Sequence, residues 1–404
     1  MNVTDTTGPV ISRLQLLGLG VGVIGLVALG IGFATDEGHH HIYQSYLMGW
    51  LLWNGVAVAY LGILMLHHMV GGDWGYVNRR FIEAGAMTTI VTGILAIPLL
   101  TPGAMHTLYE WTHTDMIWGT PGDKVLQEKS PYLNVPFFYA RVAIYYAFWF
   151  GSAFLLNRWS KQNDQDGKHS FRQKARLLSG PGLLLYVLIY TFYVVDFAMS
   201  LEPHWMSTIF ALMVMVGATL STWSLTAILM LLFRDTEPMR HVLTKQRFWD
   251  IGNLMLGFTM LWAYMAFSQY LIGWQANLPE EAAYYEPRVN GPYKAIALGI
   301  VIFHFAVPFF LLLQRGIKQA PALLAIVSVL LIVMRYVDLY WIVKPSFDTT
   351  PAYNFYWTDI VAPIAIGGVW LAAFAFFLKS KLILPVYETH HDRPPVKSEV
   401  YSHG

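Results

Sequence analysis

Residues 321–343 read PALLAIVSVLLIVMRYVDLYWIV. A run this apolar and this long is the length of helix that crosses a bilayer core, which takes roughly 20 residues. Its only two charges are Arg335 and Asp338. They stand three positions apart and so share one helix face. An ionisable group inside a bilayer costs roughly 2.5–3.5 kcal/mol on insertion scales, so each needs a reason to be there. Two arrangements are open. The pair can close on itself, or it can face Asp196 or Arg141 across a bundle. Either a packing role or a proton or ligand site would explain it.

Nine further apolar runs with few charges flank this one, at about 14–34, 44–70, 82–101, 134–157, 180–200, 205–233, 248–275, 293–314 and 358–379. The whole predicts an all-α polytopic membrane protein of about ten transmembrane helices. No stretch alternates polar and apolar residues as a transmembrane barrel does. Composition agrees: 55% of residues are apolar and 13% charged, about half the charged share of a soluble domain. A soluble enzyme and a disordered chain are both excluded. The net charge of +1 points to no nucleic-acid partner. With no cysteine, the chain itself supplies no disulfide, zinc–thiolate site, iron–sulfur ligation or covalent c-type haem.

The first run resembles a signal peptide, with Gly32 and Ala34 as small residues near a cleavage position. Its span-length apolar core and long preceding region, whose only basic residue is Arg13, read instead as a retained helix. Lys and Arg set the orientation. With the N-terminus in the cytoplasm, 19 of the 26 fall on cytoplasmic segments and five on outer loops (Lys124, Lys129, Arg288, Lys294 and Lys344). Both termini are then cytoplasmic. The domain expected is 1–380, followed by a polar cytoplasmic tail, 381–404, that carries His390, His391, Pro394 and Pro395. The outer loop 101–133, with Trp111, Trp118, Pro102, Pro121 and Pro131, reads as an interfacial aromatic belt or as a docking surface for an extracytoplasmic partner.

The remaining ionisable residues gather at the two ends of the spans. Under this topology Asp196, Arg335, Asp338, Arg141, Asp359, Glu202 and His204 fall on the outer half. His67, His68, Glu83 and Asp250 lie at the cytoplasmic ends, and His304 stands nearly alone at mid-depth. Tyr186, Tyr190 and Tyr193 share a face with Asp196, either as a hydroxyl stripe leading to the carboxylate or as plain aromatic packing. A b-type haem needs axial ligands, commonly two histidines from facing helices, and a single deep histidine does not provide them. No phosphate loop, H-E-x-x-H motif or nucleophile elbow is present, and no metal site is expected.

Several segments carry a resemblance. Tyr43-Gln44-Ser45-Tyr46-Leu47 opens span two, which closes with His67-His68 and Gly71-Gly72-Asp73-Trp74-Gly75. Tyr132-Leu133-Asn134-Val135-Pro136-Phe137-Phe138 precedes Arg141, and span four ends in Leu156-Asn157-Arg158-Trp159-Ser160. After Asp196 come Ser200-Leu201-Glu202-Pro203-His204-Trp205 and Ser207-Thr208. Span seven holds Trp262-Ala263-Tyr264, Phe267-Ser268-Gln269-Tyr270-Leu271-Ile272 and Asn277-Leu278-Pro279-Glu280-Glu281. His304-Phe305 and Pro308-Phe309 follow in span eight. Over roughly 40–380 the chain resembles the ActF family of membrane subunits of bacterial alternative complex III, within the NrfD/polysulfide-reductase membrane-subunit superfamily. The sister ActC family differs after span five.

The resemblance implies two four-helix bundles, spans 2–5 and 6–9, flanked by spans 1 and 10, in the bacterial cytoplasmic membrane. It implies a quinol:acceptor oxidoreductase complex that oxidises menaquinol or ubiquinol. The iron–sulfur clusters and haem c would sit in partners: an iron–sulfur subunit, c-type cytochrome subunits and an ActC-like sister. This chain would scaffold the complex and conduct protons through half-channels. The outer half-channel would use Asp196, Glu202, His204, Arg335 and Asp338, and the cytoplasmic one His67, His68, Glu83 and Asp250, with His304 and Tyr190 between them. The alternative is a chain that itself binds and oxidises quinol, with Asp196, His204 and Arg141 as the quinone site. A third reading is an ion-coupled transporter, which would show helices broken in mid-membrane. Pro98, Pro308 and Pro363 are the candidate kinks.

Overall fold

The computed structural model describes residues 6–113, 124–166, 170–276, 279–289, 291–347 and 355–385. Trp118, Pro121, Asn277, Leu278 and the tail from 386 onward lie outside these. The regular structure of the described residues is helical throughout, with no strand. We label the long segments α1 (Thr7–Thr35), α2 (His40–Val70), α3 (Asp73–Leu100), α4 (Val135–Asp166), α5 (Ser170–Phe197), α6 (Phe210–Phe233), α7 (Lys245–Ala276), α8 (Lys294–Leu313), α9 (Pro321–Val343) and α10 (Thr358–Lys379).

Among the described residues nine of these, all but α4, are long and apolar enough to cross a membrane. The chain is an all-α polytopic membrane protein. The helix α4 takes the place of the expected fourth span and has the length for it. Arg141, Tyr139, Tyr145, Tyr146 and Trp149 dilute its apolar character. Those side chains face partners within the bundle, so the polarity is absorbed by packing.

Contacts close two rings. In the first, α2 packs on α3 and α5, α3 on α4, and α4 on α5. In the second, α6 packs on α7 and α9, and α8 lies against both α7 and α9. The α2 helix also touches α6, α9 and α10, and is buried along nearly its whole length. It is the shared wall of the two bundles.

The outer pair, α1 and α10, packs through backbone. A Cβ placed on Gly18 would meet Ala372 N at 2.6 Å, and one on Gly25 would meet Ala365 Cβ at 2.5 Å. Gly368 lies against the Gly22 backbone. Without apolar driving force in lipid, helices associate where small residues let backbones approach. The two helices run antiparallel, so Thr6 and Lys379 come to one end of the molecule. Packing also runs past the expected boundary at 380, since Ile383 and Leu384 are buried.

Three helices are irregular, and a proline lies in each. Pro308 has no N–H for the His304 carbonyl, and α8 widens into a π-helical turn over Val301–Ala306. Pro363 frees the Asp359 carbonyl of α10, which the Tyr336 hydroxyl bonds instead. The α3 helix breaks after Met87 and ends as a 3-10 turn, Ile97–Leu100, around Pro98. Its loosened carbonyls accept from Trp50 Nε1 (Thr92 O, 2.9 Å), Tyr46 OH (Leu95 O, 2.8 Å) and Tyr139 OH (Leu100 O, 2.8 Å). Side chains from α2 and α4 thus complete what the backbone leaves open.

Candidate functional site

Buried ions sort into separate groups, which differ in how completely each is satisfied. In the first bundle Arg141 forks onto Asp196, with Nε to Oδ2 and Nη2 to Oδ1 both at 2.9 Å. Tyr145 OH donates to Oδ2 at 2.6 Å. The third guanidinium nitrogen donates to Tyr132 O at 2.8 Å. The rings of Tyr132 and Phe137 cover the cation at 3.9 and 4.5 Å. Arg141 and Asp196 thus engage each other, and of the two arrangements open to Arg335 and Asp338 the structure takes the one in which that pair closes on itself. Both partners' hydrogen-bonding capacity is largely spent. The phenol on Asp196 comes from α4, not from the α5 stripe. Tyr186, Tyr190 and Tyr193 pack ring on ring at 5.8 and 5.4 Å between centroids. Among the described residues, the Tyr190 and Tyr193 hydroxyls have no hydrogen-bond partner.

At the end where α2 finishes, Glu83 accepts from Arg79 (2.9 Å), Arg80 (2.8 Å), Lys381 (2.8 Å) and Ser160 (2.7 Å). Arg80 also pairs with Asp164. Three cations thus gather on one buried carboxylate. Burial lowers the Lys381 ammonium below its ordinary value, with Glu83 opposing. His67 packs edge-on against Trp74 and meets Gly72 O at 3.3 Å. His68 lies edge-on to Phe171. Asp250 joins a surface network through Arg247 to Asp73. His68 lies 6.0 Å from the His67 ring and within Coulombic reach of Glu83, so the structure brings these three together and leaves Asp250 apart.

The second bundle holds the less satisfied group. Arg335 and Asp338 pair within α9 at 2.5 Å, and Arg335 also donates to Val214 O on α6 at 3.1 Å. Arg335 is within Coulombic reach of Tyr190 and His304. His304, fully buried in the π-helical turn, stacks on Trp262 at 4.1 Å. Neither of its ring nitrogens has a partner among the described residues. Trp262 in turn approaches the Asp338 carboxyl without closing a hydrogen bond. Four expected residues, Arg335, Asp338, His304 and Tyr190, are thus brought into one neighbourhood.

Asp338 also lines a cavity of about 890 Å³ between α7, α8, α9 and the short helix Pro279–Val289. Its walls are aromatic, with Trp262, Tyr284, Tyr285, Phe305 and Trp341 among them. Gln269 Oε1 and Tyr284 OH on this wall are buried and have no partner among the described residues. Burial holds the Tyr284 phenol above its ordinary value, so it remains a donor at neutral pH. Beside it the buried Arg288 binds Glu202 (2.7 Å), Tyr284 O (2.6 Å) and Ile342 O (2.8 Å). Glu202 is therefore an ion-pair partner, while His204 is exposed.

Sequence reasoning passed over Arg288 as an ordinary outer-loop charge, and did not single out Gln269 or Tyr284. The signal for Gln269 was present: an amide within an otherwise apolar span. Among the described residues no group of His, Cys, Asp and Glu is arranged to hold a metal ion. No protein-family model matches this chain, and no curated protein matches it.

Proposed function

We propose that this chain is the membrane subunit, without redox centres of its own, of a quinol:acceptor oxidoreductase of the alternative complex III type. In it the chain scaffolds its partners and conducts protons. The motif resemblance and the positive-inside charge bias support this reading. On this reading the protein sits in a bacterial cytoplasmic membrane with both termini in the cytoplasm. Menaquinol or ubiquinol is the reductant, and haem c and iron–sulfur clusters belong to partner subunits.

One observation carries the proton role. Asp338 sits buried between a cation and a cavity, and His304 and Tyr190, both within Coulombic reach of that cation, have polar atoms that are unpartnered among the described residues. Buried polar atoms are costly unless satisfied, and internal waters are the usual partners. Waters joining Tyr190, His304 and Asp338 would form a proton path. Arginine does not release its proton in proteins, so Arg335 sets the charge of the path and Asp338 exchanges. At the opposite end Glu83 is locked by cations. His67 and His68 are the exchanging groups there.

The test is purification through a tag on this chain in mild detergent, followed by mass spectrometry and a reduced-minus-oxidised spectrum. Co-purifying c-type haem and iron–sulfur subunits with quinol oxidation are expected. A colourless chain that runs alone, with disassembly ruled out by cross-linking before extraction, overturns the proposal in favour of an ion-coupled transporter. The reading in which this chain itself binds quinol is favoured by one observation, the cavity beside Asp338.

A further inference from the structure

The cavity in the second bundle has a lateral mouth. Tyr264, Phe267, Leu298 and Val301 lie on its lining and are also 67%, 62%, 60% and 57% exposed. They stand on the outward faces of α7 and α8, two helices that are long and apolar enough to span a bilayer. What those faces meet is lipid, so a ligand arrives from the membrane and must carry an apolar body.

The inner wall asks for something other than an acyl chain. Trp262, Tyr284, Tyr285, Phe305 and Trp341 present ring faces and edges, which favour a flat aromatic partner. Among these rings lie an amide oxygen (Gln269) and a phenol (Tyr284), both without a partner among the described residues, and a carboxylate (Asp338). An acyl chain would leave the Gln269 oxygen and the Tyr284 phenol unsatisfied in a dry site, at a cost that native interiors avoid. A planar ring with oxygens at two positions satisfies them. One hydroxyl donates to Gln269 Oε1 or Asp338, and another oxygen accepts from Tyr284 OH. The volume of about 890 Å³ is within the usual range for small-molecule sites, about 300–1,000 Å³.

We propose that the α7–α8–α9 cavity binds a quinol-type lipid, its ring held between Gln269, Tyr284 and Asp338 and its tail leaving between α7 and α8. The proposal deepens the reading of the chain as part of a quinol-oxidising complex and rests on it for the ligand class. It locates the ligand in the second bundle. The residues expected to bind quinone, Arg141 and Asp196, are already engaged with each other, and His204 is exposed.

The test is photo-crosslinking in native membranes with an azido-substituted decylquinone, mapped by peptide mass spectrometry. It is scored on this chain whether or not redox partners accompany it, so its failure is distinguishable from failure of the proton reading. Label is expected in peptides 260–270 and 297–309, competed by decylquinol and not by decanol. Ala266→Trp, which fills the cavity, should abolish it. Gln269→Leu, which removes one hydrogen bond, should weaken competition by decylquinol about fivefold. Label that survives Ala266→Trp in a folded, membrane-inserted protein overturns the proposal. So does equal competition by decanol, which would make the cavity a groove for lipid tails only.

Discussion

Asp338 Oδ2 lies 2.5 Å from Arg335 Nη1, one helical turn away on α9, and of this pair only Asp338 lines the cavity. Arg335 turns to Val214 O and to the interface of the two bundles. The Arg141–Asp196 pair is its counterpart in the first bundle and is closed on all sides by Tyr145, Tyr132 and Phe137. Two buried pairs with the same charges thus have different chemical prospects. The closed one fixes α4 to α5. The open one can exchange a proton or meet a ligand.

Asp338→Asn separates these roles. The amide oxygen still accepts from Arg335, so packing and assembly should persist. A carboxyl lost from a proton path slows that transfer by about 10²-fold or more. Proton release by the reconstituted complex, followed with a pH indicator during quinol oxidation, should collapse relative to electron transfer. An unchanged ratio of protons to electrons in an assembled variant would remove Asp338 from the path.

Arg141→Met should act on stability. Removing one partner leaves Asp196 as a buried, uncompensated charge, which costs about 3–5 kcal/mol. The double variant Arg141→Met/Asp196→Leu should recover much of this, since two apolar side chains can replace a buried pair. Thermal unfolding in one detergent reads both. A double variant no more stable than the single one would show that the pair matters beyond its charge balance.

Glu83 and Lys381 give a pH test. Burial puts the Lys381 ammonium below its ordinary value of 10.5 in the folded protein. Between the folded value and 10.5 the unfolded chain binds more protons, so this group makes stability rise with pH across that window. Lys381→Met should remove that rise while leaving Glu83 with Arg79 and Arg80. Glu83→Gln should cost far more, about 3–5 kcal/mol, because Arg79 and Lys381 lose their counter-charge and, among the described residues, Arg80 keeps only Asp164. Unfolding midpoints of the three proteins across alkaline pH decide it, and parallel profiles would contradict the assignment.

The helices were legible because bilayer thickness imposes a length that the sequence must honour. Observed helices begin or end within several residues of the predicted runs, and α9 and α10 coincide with them. The pairing of Arg335 with Asp338 was legible as one of two options, since residues three apart on a helix meet whatever the fold. The pairing of Arg141 with Asp196 was not, because spacing within one helix says nothing about its neighbour. The π-helical turn at His304 follows from Pro308, a kink candidate whose consequence depends on what surrounds the freed carbonyl. The cavity was beyond reach. Its polar wall joins Gln269, Tyr284 and Asp338 from three separate segments. The stretch joining α1 to α10 was in plain view, as Gly18, Gly22 and Gly25 at helical spacing, and was read only as an apolar run.

That seam yields a test on a chain without native cysteine. A Cβ on Gly32 would stand 2.8 Å from Thr358 Cγ2. With Thr358 cut back, Gly32→Cys and Thr358→Cys bring two Cβ atoms into disulfide range, about 3.5–4.5 Å. Oxidised membranes should show the bridge as a mobility change that reductant reverses. Gly22→Leu added to this pair drives a branched side chain into the Val369 backbone, whose N lies 2.9 Å from the would-be Cβ. Overpacking of this kind costs about 1–3 kcal/mol, and the helices should part and the bridge yield fall. Gly20→Leu is the control, since nothing lies within 4 Å of a Cβ there. If backbone approach holds α1 in place, only the Gly22 change lowers the yield. If lipid and apolar burial alone hold it, both variants bridge as fully as the parent, and the close glycine contacts are incidental.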